Sequence, residues 1–329
     1  MAYHIRDWRR RDDKHVVMLS NHCCIRVQKQ AIALRQKGWR VDSLSTRRPS
    51  NVEAFDYAFI TERGRLTRAL KESGASLIHV HNEPDRLMQY ADEGANGRPV
   101  VYDCHDLEYH RANEVTKWEK FAFSRADGII NVGETYRDLA YSLHPWDVPS
   151  AVVHSLPLKR HIPKPPAKRD WAVVYEGGVT RPAPNNWRDF TVPCRVFAEE
   201  GIRFDLYTNS AMQEYYPNVK GMVRYDKLMA ALGTYEFGWV GLDPAHPKLQ
   251  LSYPNKVWEY AANGSIPLMV NVKSAAEYFG SGIVASSTRE AIALMRECDT
   301  EKMRADVYAH MRWMDDEIDH TIRLYEELL

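Results

Sequence analysis

The sequence has no long apolar run, no excess charge of either sign and few cysteines. No stretch of about 18 apolar residues occurs in its 329 residues, so it predicts no membrane-spanning helix. The first residues carry arginines without an apolar core, which predicts no secretory signal peptide. Lysine plus arginine and aspartate plus glutamate number 44 each, so nothing indicates a global attraction to nucleic acid or to an anionic membrane.

The cysteines also argue against a disulfide framework. Their number is odd, two are adjacent, and none has metal-ligand spacing: Cys23, Cys24, Cys104, Cys194 and Cys298. This usage predicts a reducing, cytoplasmic compartment. One basic feature remains, the cluster Arg9-Arg10-Arg11. It predicts a solvated tail, and a peripheral contact with lipid headgroups or nucleic-acid phosphates stays open as the alternative.

Short apolar runs alternate with helical patterns along the chain, which is typical of βαβ units and a parallel sheet. Residues 15–20 (HVVMLS) predict the first strand, and residues 26–37 predict a helix that ends before Gly38. Further strands of a first domain are predicted to start at Trp39, Leu77, Pro99, Gly128 and Pro149. A second series is predicted to start at Ala172, Arg203, Tyr235, Ile266 and Gly282.

A proline-rich basic stretch separates the two series. Residues 156–171 hold four prolines, which favours an extended connector. We therefore predict an N-terminal Rossmann-like domain over 1–155, a linker over 156–171 and a C-terminal Rossmann-like domain over 172–300. A helix over 301–329 follows, for which we consider packing back on the first domain. The fold class is α/β, with two doubly wound domains facing a central cleft.

The stretch YPNKVWEYAANGSIPLMV, residues 253–270, predicts a helix start that can hold an anion. The helix begins near Pro254 or Asn255, where unpaired N–H groups and Lys256 favour a phosphate. Glu259 lies one turn further along, where a carboxylate can accept hydrogen bonds from ribose hydroxyls. A solvated Lys256–Glu259 pair on an ordinary amphipathic helix is the alternative.

Three motifs in this order resemble those of GT-B glycosyltransferases similar to family 4. PNKVWEYAANGSIP resembles the family's PNKxxEYxAxGxP signature, in which the glutamate binds the ribose of the donor nucleotide. Residues 24–41 (CIRVQKQAIALRQKGWRV) are similar to the family's first helix, and residues 102–106 (YDCHD) resemble its DxHD element. The resemblance spans residues 26–267, and it implies donor contacts for Asn255, Lys256 and Glu259.

The loop after the first strand of the second domain is a second donor-binding candidate. Gly177 and Gly178 permit close backbone approach, and Arg181 can bind a diphosphate in a bidentate manner. The loop resembles the family's GGxxxR element, but the usual lysine after the arginine is missing, so Asn185, Asn186 or Arg188 are considered as replacements. Asp243 is a further candidate, as a neighbour of the donor sugar next to His246.

Catalytic candidates lie at predicted strand ends of the first domain. His105 resembles the family histidine that contacts the transferred sugar, with a hydrogen-bonded structural histidine as the alternative. Asp103, Asp106 and Glu83 are candidates for a general base if the enzyme inverts stereochemistry. A retaining mechanism, which the resemblance implies, does not require such a base.

Contacts to acceptor or sugar are expected from four further residues: Asn21, His22, His81 and Asn82. Asn21 and His22 stand where relatives usually carry glycines. His79 and His81 share one face of a strand, but no third ligand has a recognisable spacing, so no metal is expected.

We therefore predict a metal-independent hexosyltransferase that uses a UDP- or GDP-linked sugar, needs no cofactor and modifies a hydroxyl acceptor. The acceptor, a glycan, a lipid-linked sugar or a small molecule, stays open. Two alternatives remain, glycosylation of a modified base in DNA and a catalytically degenerate nucleotide-sugar-binding protein. A nicotinamide dehydrogenase is disfavoured because no strand leads into a GxGxxG turn.

Overall fold

A computed structural model describes residues 13–109, 114–164, 166, 168–183, 186, 188–245 and 254–329. The chain divides into two compact units. The first unit comprises Met1–Ser155 and Met314–Leu329, and the second comprises Leu156–Trp313. Arg9–Arg11, Asn185 and His246, which the sequence singled out, lie outside the described residues.

The first unit contains a parallel sheet of seven strands. In chain order they are β1 (His15–Ser20), β2 (Arg40–Ser45), β3 (Tyr57–Ile60), β4 (Leu77–His81), β5 (Val100–Cys104), β6 (Gly128–Asn131) and β7 (Ser150–Val152). Their order in the sheet is β3-β2-β1-β4-β5-β6-β7. The order therefore reverses between β1 and β4, whose carboxyl ends form the topological switch point at which open α/β sheets bind ligands.

Helices follow most of these strands. They are α1 (Ile25–Gln36), α2 (Leu66–Glu72), α3 (Leu87–Gly94), α4 (Lys117–Arg125) and α5 (Glu134–Leu143). Strand β1 is buried along its whole length, because a central strand of a parallel sheet is covered on both faces. This explains why HVVMLS is a continuous apolar run without alternation.

Among its described residues, the second unit has five parallel strands and six α-helices. The strands are β8 (Asp170–Glu176), β9 (Phe204–Tyr207), β10 (Tyr235–Gly241), β11 (Ile266–Val270) and β12 (Ile283–Ala285). The helices are α6 (Thr191–Glu199), α7 (Tyr225–Leu232), α8 (Asn255–Ala262), α9 (Lys273–Phe279), α10 (Thr288–Glu297) and α11 (Thr300–Ala309). The strand order β12-β11-β10-β8-β9 reverses between β8 and β10.

A close contact holds α8 against this switch point. The ring of Tyr260 packs directly over Gly238 of β10, where a Cβ atom would lie 2.2 Å from the ring. Only glycine leaves room for this approach. The Tyr260 hydroxyl also accepts a hydrogen bond of 3.1 Å from the backbone N–H of Glu176 at the end of β8. Helix α8 is thus fixed to both strands that flank the switch point.

The two parallel α/β units agree with the predicted fold class, and the elements differ from the prediction in three places. Strand β3 was not predicted, since YAFI is short and half-buried at the sheet edge. Strand β8 begins at Asp170, inside the predicted linker. Two helices replace the single C-terminal helix, because the chain leaves the second unit at Trp313 and α12 (Met314–Leu328) packs in the first unit on α1, β6 and β7. None of the described helices is long and apolar enough to cross a membrane.

Candidate functional site

A small cavity lies at the switch point of the second unit. It has a volume of about 180 Å³ and is bounded by the carboxyl ends of β8 and β10 and by the start of α8. Its walls include Gly178, Arg188, Gly241, Pro254 and Lys256. Cavities for drug-sized ligands span roughly 300–1,000 Å³, so this one suits a diphosphate group better than a whole nucleotide sugar.

The N-terminus of α8 opens on this cavity without a side-chain cap. Pro254 is the N-cap residue, with extended backbone angles and no side chain that can accept a hydrogen bond from the first turn. Proline before the first helical residue fixes where the helix starts, and it leaves the first-turn N–H groups without the usual Ser, Thr, Asp or Asn partner. Helix N-termini of this kind attract anions.

Two cationic side chains line the same cavity. The Nζ of Lys256 lies 5.3 Å from the centre of the Tyr175 ring. Burial opposes its charge, but Tyr175, Glu176 and Glu259 outweigh that effect and raise the pKa of Lys256. A Cβ atom at Gly178 would lie 2.8 Å from Nη1 of Arg188, so that arginine lies directly over the glycine loop. Lysine and arginine together with a helix N-terminus can hold an anion such as a phosphate.

The backbone conformation at position 177 requires a glycine. Its φ of 127° lies in a region that other residues rarely adopt. A Cβ atom there would lie 3.2 Å from the Tyr175 hydroxyl and 3.6 Å from the Nζ of Lys256. The glycine therefore lets the β8 loop turn close to the lysine.

The side chain of Glu259 is buried and is not exposed at the surface of the cavity. It is only 3% exposed, and its Oε1 accepts a hydrogen bond of 2.8 Å from the Tyr225 hydroxyl. The ring of Tyr225 in turn packs edge-on against His161. A ribose that reaches Glu259 would have to share this carboxylate with Tyr225 or displace the tyrosine.

Three other donor-binding candidates lie apart from the cavity lining. The guanidinium of Arg181 is exposed and stacks over the Tyr215 ring at 5.5 Å. The Oδ2 of Asp243 accepts hydrogen bonds of 2.7 Å from both the backbone N–H and the hydroxyl of Thr288, so it holds the start of α10. Asn255 is the first residue of α8 and is half-buried.

A fully buried carboxylate organises the corresponding edge of the first unit. Asp103, at 0% exposure, accepts hydrogen bonds of 3.0–3.2 Å from the guanidinium of Arg26 and one of 2.9 Å from Gln30. Burial opposes ionisation, but Arg26 and the neighbouring imidazoles hold the pKa of Asp103 well below its usual range. The sequence considered Asp103 as a general base. Because it is buried and ion-paired, it is better placed to position its neighbours.

The third ligand that the sequence did not find for His79 and His81 is this same Asp103. Its Oδ2 lies 3.5 Å from Nε2 of His79 and 3.4 Å from Nδ1 of His81, and the two rings stack at 4.3 Å. Burial above all lowers the pKa of both histidines, which favours their neutral forms. The carboxylate is already paired with the guanidinium of Arg26, so its charge is compensated without a metal ion.

His105 and Cys24 form a polar pair beside this carboxylate. Cys24 is the N-cap residue of α1, its side chain makes no capping hydrogen bond, and its thiol lies close enough to His105 for the two charges to interact. The Nδ1 of His105 lies 3.8 Å from Oδ1 of Asp103. Burial opposes both charges, but Asp103 and Cys24 raise the pKa of His105 to about 10, and His105 lowers the pKa of Cys24. His105 is therefore an imidazolium at neutral pH, and its charge favours the thiolate form of Cys24.

Of the remaining candidates of the first unit, some lie in or next to the cluster around Asp103 and others lie away from it. Asn82 lies in the cluster, where its side-chain N–H donates to the carbonyl of Asp106 at 2.5 Å. Glu83 follows with a φ of 75°, in the left-handed region. Asn21 is turned away to accept a hydrogen bond of 2.5 Å from Thr46, and His22 is exposed. His81 is 1% exposed, so it contacts a ligand only through neighbouring groups.

Sequence reasoning missed several residues that build these sites. Cys24, Arg26, Tyr175 and Tyr225 were not identified as functional, and Arg188 appeared only as one replacement among three. Arg26 belongs to the motif that resembles the family's first helix, which was a usable signal. Nothing in the sequence paired Tyr225 with Glu259, since the two lie 34 residues apart.

Comparisons with known proteins establish the fold. Neither a protein-family model nor a curated protein sequence matches the chain. Among solved structures, Alr3699/HepE of Anabaena with bound UDP and glucose matches 95% of this chain and 98% of its own, at 13% identity and a TM-score of 0.66. An alpha-glucosyltransferase with UDP and a 13-mer DNA matches 95% and 99%, at 12% identity and a TM-score of 0.67. AviGT4, a glycosyltransferase involved in avilamycin A biosynthesis, matches 95% and 97%, at 13% identity and a TM-score of 0.64.

These structures share the architecture that the sequence predicted. The fold class, two Rossmann-like α/β units of the GT-B type, is therefore confirmed. At 12–13% identity the similarity describes the fold, and the function has to be argued from the site itself.

Proposed function

We propose that the protein is a glycosyltransferase that takes a sugar from a nucleoside diphosphate donor, with UDP as the first candidate and GDP as the second. The observation that carries this proposal is the cavity at the β8–β10 switch point. There an uncapped helix N-terminus, Lys256 and Arg188 converge beside the Gly177-Gly178 loop. HepE and the alpha-glucosyltransferase, which share the fold, were solved with UDP, and this supports the choice of nucleotide.

The proposed chemistry is electrostatic. When the glycosidic bond breaks, negative charge develops on the departing diphosphate. Lys256, Arg188 and the N–H groups at the start of α8 are arranged in advance to stabilise that charge, which makes a metal ion unnecessary. Glu259 is assigned to the ribose hydroxyls, as the family-4-like motif implies.

The first unit is assigned to the sugar and the acceptor hydroxyl. His105, as an imidazolium, can donate a hydrogen bond to a hydroxyl of the transferred hexose. Asp106 and Glu83 remain candidates for contact with the acceptor, while Asp103 positions His105. We propose a retaining reaction, in which no general base has to be supplied to the acceptor.

The decisive experiment compares two lysines of the second unit. UDP, GDP and their common sugar derivatives are tested for binding by calorimetry in the presence of EDTA, and release of free nucleotide is then followed. Lys256→Ala should weaken binding of the preferred nucleotide by roughly 10- to 100-fold, the loss expected for a hydrogen bond to a charged group. Lys273→Ala is the matched control, because this lysine is 73% exposed at the start of α9.

The outcomes separate the open alternatives. Equal effects of the two lysine substitutions would refute the donor site. Nucleotide binding without any release of sugar, even with an acceptor panel, would identify a degenerate nucleotide-sugar-binding protein. A strict requirement for a divalent ion would contradict the metal-independent mechanism.

Transfer to a modified base in DNA is the second candidate. It is supported by the fold similarity, at a TM-score of 0.67, to an alpha-glucosyltransferase that was solved with DNA. Duplex binding that weakens steeply with salt, together with sugar transfer to DNA containing hydroxymethylated bases, would favour it over a glycan or small-molecule acceptor. Salt-independent or undetectable duplex binding would exclude it.

A further inference from the structure

The second unit contains another cavity, which is larger than the one at the switch point. Its volume is about 870 Å³, and it is formed by the end of α8, by α11 and by five residues that precede β8: Lys159, Ile162, Pro163, Pro166 and Arg169. Helix α8 spans eight residues, or about 12 Å, so the two cavities lie at opposite ends of one helix. A volume of this size accommodates an entire small molecule.

The walls of this cavity are largely apolar and include two aromatic side chains. Tyr308 on α11 is 57% exposed, and Trp313 follows the same helix. Ile162, Pro163 and Pro166 form part of the remaining wall. Proline and aromatic side chains provide a flat, rigid surface at little entropic cost, which suits a planar ring.

Three cations converge on the cavity: Lys159, Arg169 and Arg304. Arg304 is neutralised by a salt bridge to Glu236, and its Nε donates to the carbonyl of Gly264 at 3.1 Å. One carboxylate, Glu301, also lines the cavity and is exposed. Lys159 and Arg169 complete the basic part of the wall.

Arg169 is the group that points to a ligand. Its Nη2 donates to the carbonyl of Asn263 at 3.0 Å, at the end of α8. Its Nε is buried without a hydrogen-bond partner, and Arg169 forms no ion pair within the part of the chain that the structure describes. Burial and the nearby Arg304 lower its pKa. A buried guanidinium N–H without an acceptor is costly, and an oxyanion would satisfy it.

We propose that this cavity is a second ligand site, which binds a small molecule that joins an oxyanion to an apolar ring system. The oxyanion, a carboxylate, sulfonate or phosphate, meets the guanidinium of Arg169, and the ring lies against Tyr308 and Trp313. A simpler role for Arg169 is to cap the C-terminus of α8 through the carbonyl of Asn263. That hydrogen bond uses only Nη2 of the guanidinium, and Nε has no hydrogen-bond partner among the described residues. The proposal does not depend on the glycosyltransferase assignment, because no residue of the diphosphate cavity takes part.

The test uses two fluorescent probes that differ mainly in charge. 8-Anilinonaphthalene-1-sulfonate combines aromatic rings with an oxyanion, and N-phenyl-1-naphthylamine has the same rings without it. Both are titrated against the full-length protein by fluorescence, with and without saturating UDP. We expect the sulfonate probe to bind in a 1:1 ratio, more tightly than the neutral probe, and without competition from UDP.

Three variants locate the binding. Ala305 lines the cavity from the exposed side of α11, so Ala305→Trp should fill the cavity and weaken both probes at least tenfold. Ala309→Trp is the matched control, because Ala309 is exposed on the same helix and does not line the cavity. Arg169→Gln should weaken the sulfonate probe about tenfold, as expected for a hydrogen bond to a charged group, and leave the neutral probe unchanged.

The proposal is overturned if Ala305→Trp binds both probes as the wild type does, or if UDP displaces the sulfonate probe. It also fails if Arg169→Gln weakens both probes equally, since the charge would then play no part. Circular dichroism spectra of each variant and of the wild type distinguish a folding defect from a loss of binding. If Arg169→Gln proves unstable, the contrast between Ala305→Trp and Ala309→Trp decides the question.

Discussion

The carboxyl edges of the two sheets carry similar kinds of polar residue but arrange them in opposite ways. In the first unit, Asp103 and Arg26 are buried and satisfy one another. In the second unit, Lys256 and Arg188 line a cavity beside an uncapped helix N-terminus. The edge of the first unit thus contains a buried ion pair, whereas the edge of the second unit places two positive charges at the wall of a cavity.

This difference indicates a division of labour. A buried ion pair gives little net stability, but it fixes geometry, because removing either partner leaves a bare charge in the interior. Lys256 and Arg188 repel each other, Glu176 and Glu259 offset this repulsion at Lys256, and a bound anion would offset it further. The first edge is therefore suited to positioning side chains, and the second to accepting an anion.

The largest expected effect is on the buried ion pair. Asp103→Asn keeps the shape of the side chain but leaves Arg26 without its counter-charge, so it should destabilise the first unit by about 3–5 kcal/mol. Hydrogen exchange of the β4 and β5 amides measures this for the first unit by itself. Glu72→Gln, which removes the partner of the exposed Arg68, should leave the same amides almost unchanged.

The effect of Asp103→Asn should also depend on pH. The pKa of Asp103 is depressed in the folded protein, so its contribution is complete above the unfolded value of about 3.9 and is lost as pH falls through the folded value. Wild type and variant should therefore converge in strong acid. A difference that stays constant down to the lowest accessible pH would mean that Asp103 acts through shape alone.

The next largest effect concerns which arginine meets the diphosphate. The sequence favours Arg181, whereas only Arg188 of the two lines the cavity. Arg188→Ala should weaken UDP binding by roughly 1.5–3 kcal/mol, as for other hydrogen bonds to charged groups, and Arg181→Ala should have little effect. Calorimetry with UDP and uridine separates the contributions, because only UDP carries the diphosphate. The reverse ranking of the two variants would restore the sequence-based assignment.

A smaller effect is expected at Glu259. If its carboxylate accepts hydrogen bonds from the ribose, wild type should bind UDP more tightly than 2′-deoxy-UDP or 3′-deoxy-UDP by about 1 kcal/mol. Glu259→Gln should reduce that discrimination, and Tyr225→Phe, which removes the hydrogen bond to Oε1, should retain it. If Glu259→Gln weakens all three nucleotides equally, the residue supports α8 and does not touch the ribose.

The sequence predicted the architecture better than the partners of the site residues. Continuous apolar runs such as HVVMLS reflect burial on both faces of a parallel sheet, so strand positions could be read directly. The start of α8 was also predictable, because Pro254 restricts the backbone locally. The depth of Glu259 and the pairing of Asp103 with Arg26, 77 residues apart, depend on tertiary packing that no local pattern encodes.

The smallest effect is expected at Cys24. It tests whether His105, at the carboxyl edge of the first unit's sheet, carries a positive charge next to this cysteine. Cys24 and Cys298 are both half-buried, while the other three cysteines are buried. His105 lowers the pKa of Cys24, whereas burial and Asp299 raise the pKa of Cys298. At pH 7, iodoacetamide should therefore alkylate Cys24 several-fold faster, because the thiolate is the nucleophile. Peptide mass spectrometry measures both rates in one sample.

Two comparisons make this result specific. The advantage of Cys24 should shrink only well above the ordinary thiol pKa of about 8.5, because Cys298 ionises at its raised pKa. His105→Gln should slow alkylation of Cys24 at pH 7 and leave Cys298 unchanged, since only Cys24 loses its imidazolium partner. If His105→Gln leaves the rate at Cys24 unaltered, the backbone N–H groups at the start of α1 stabilise the thiolate alone. The first edge would then lack the charged histidine that the proposed contact with the transferred sugar requires.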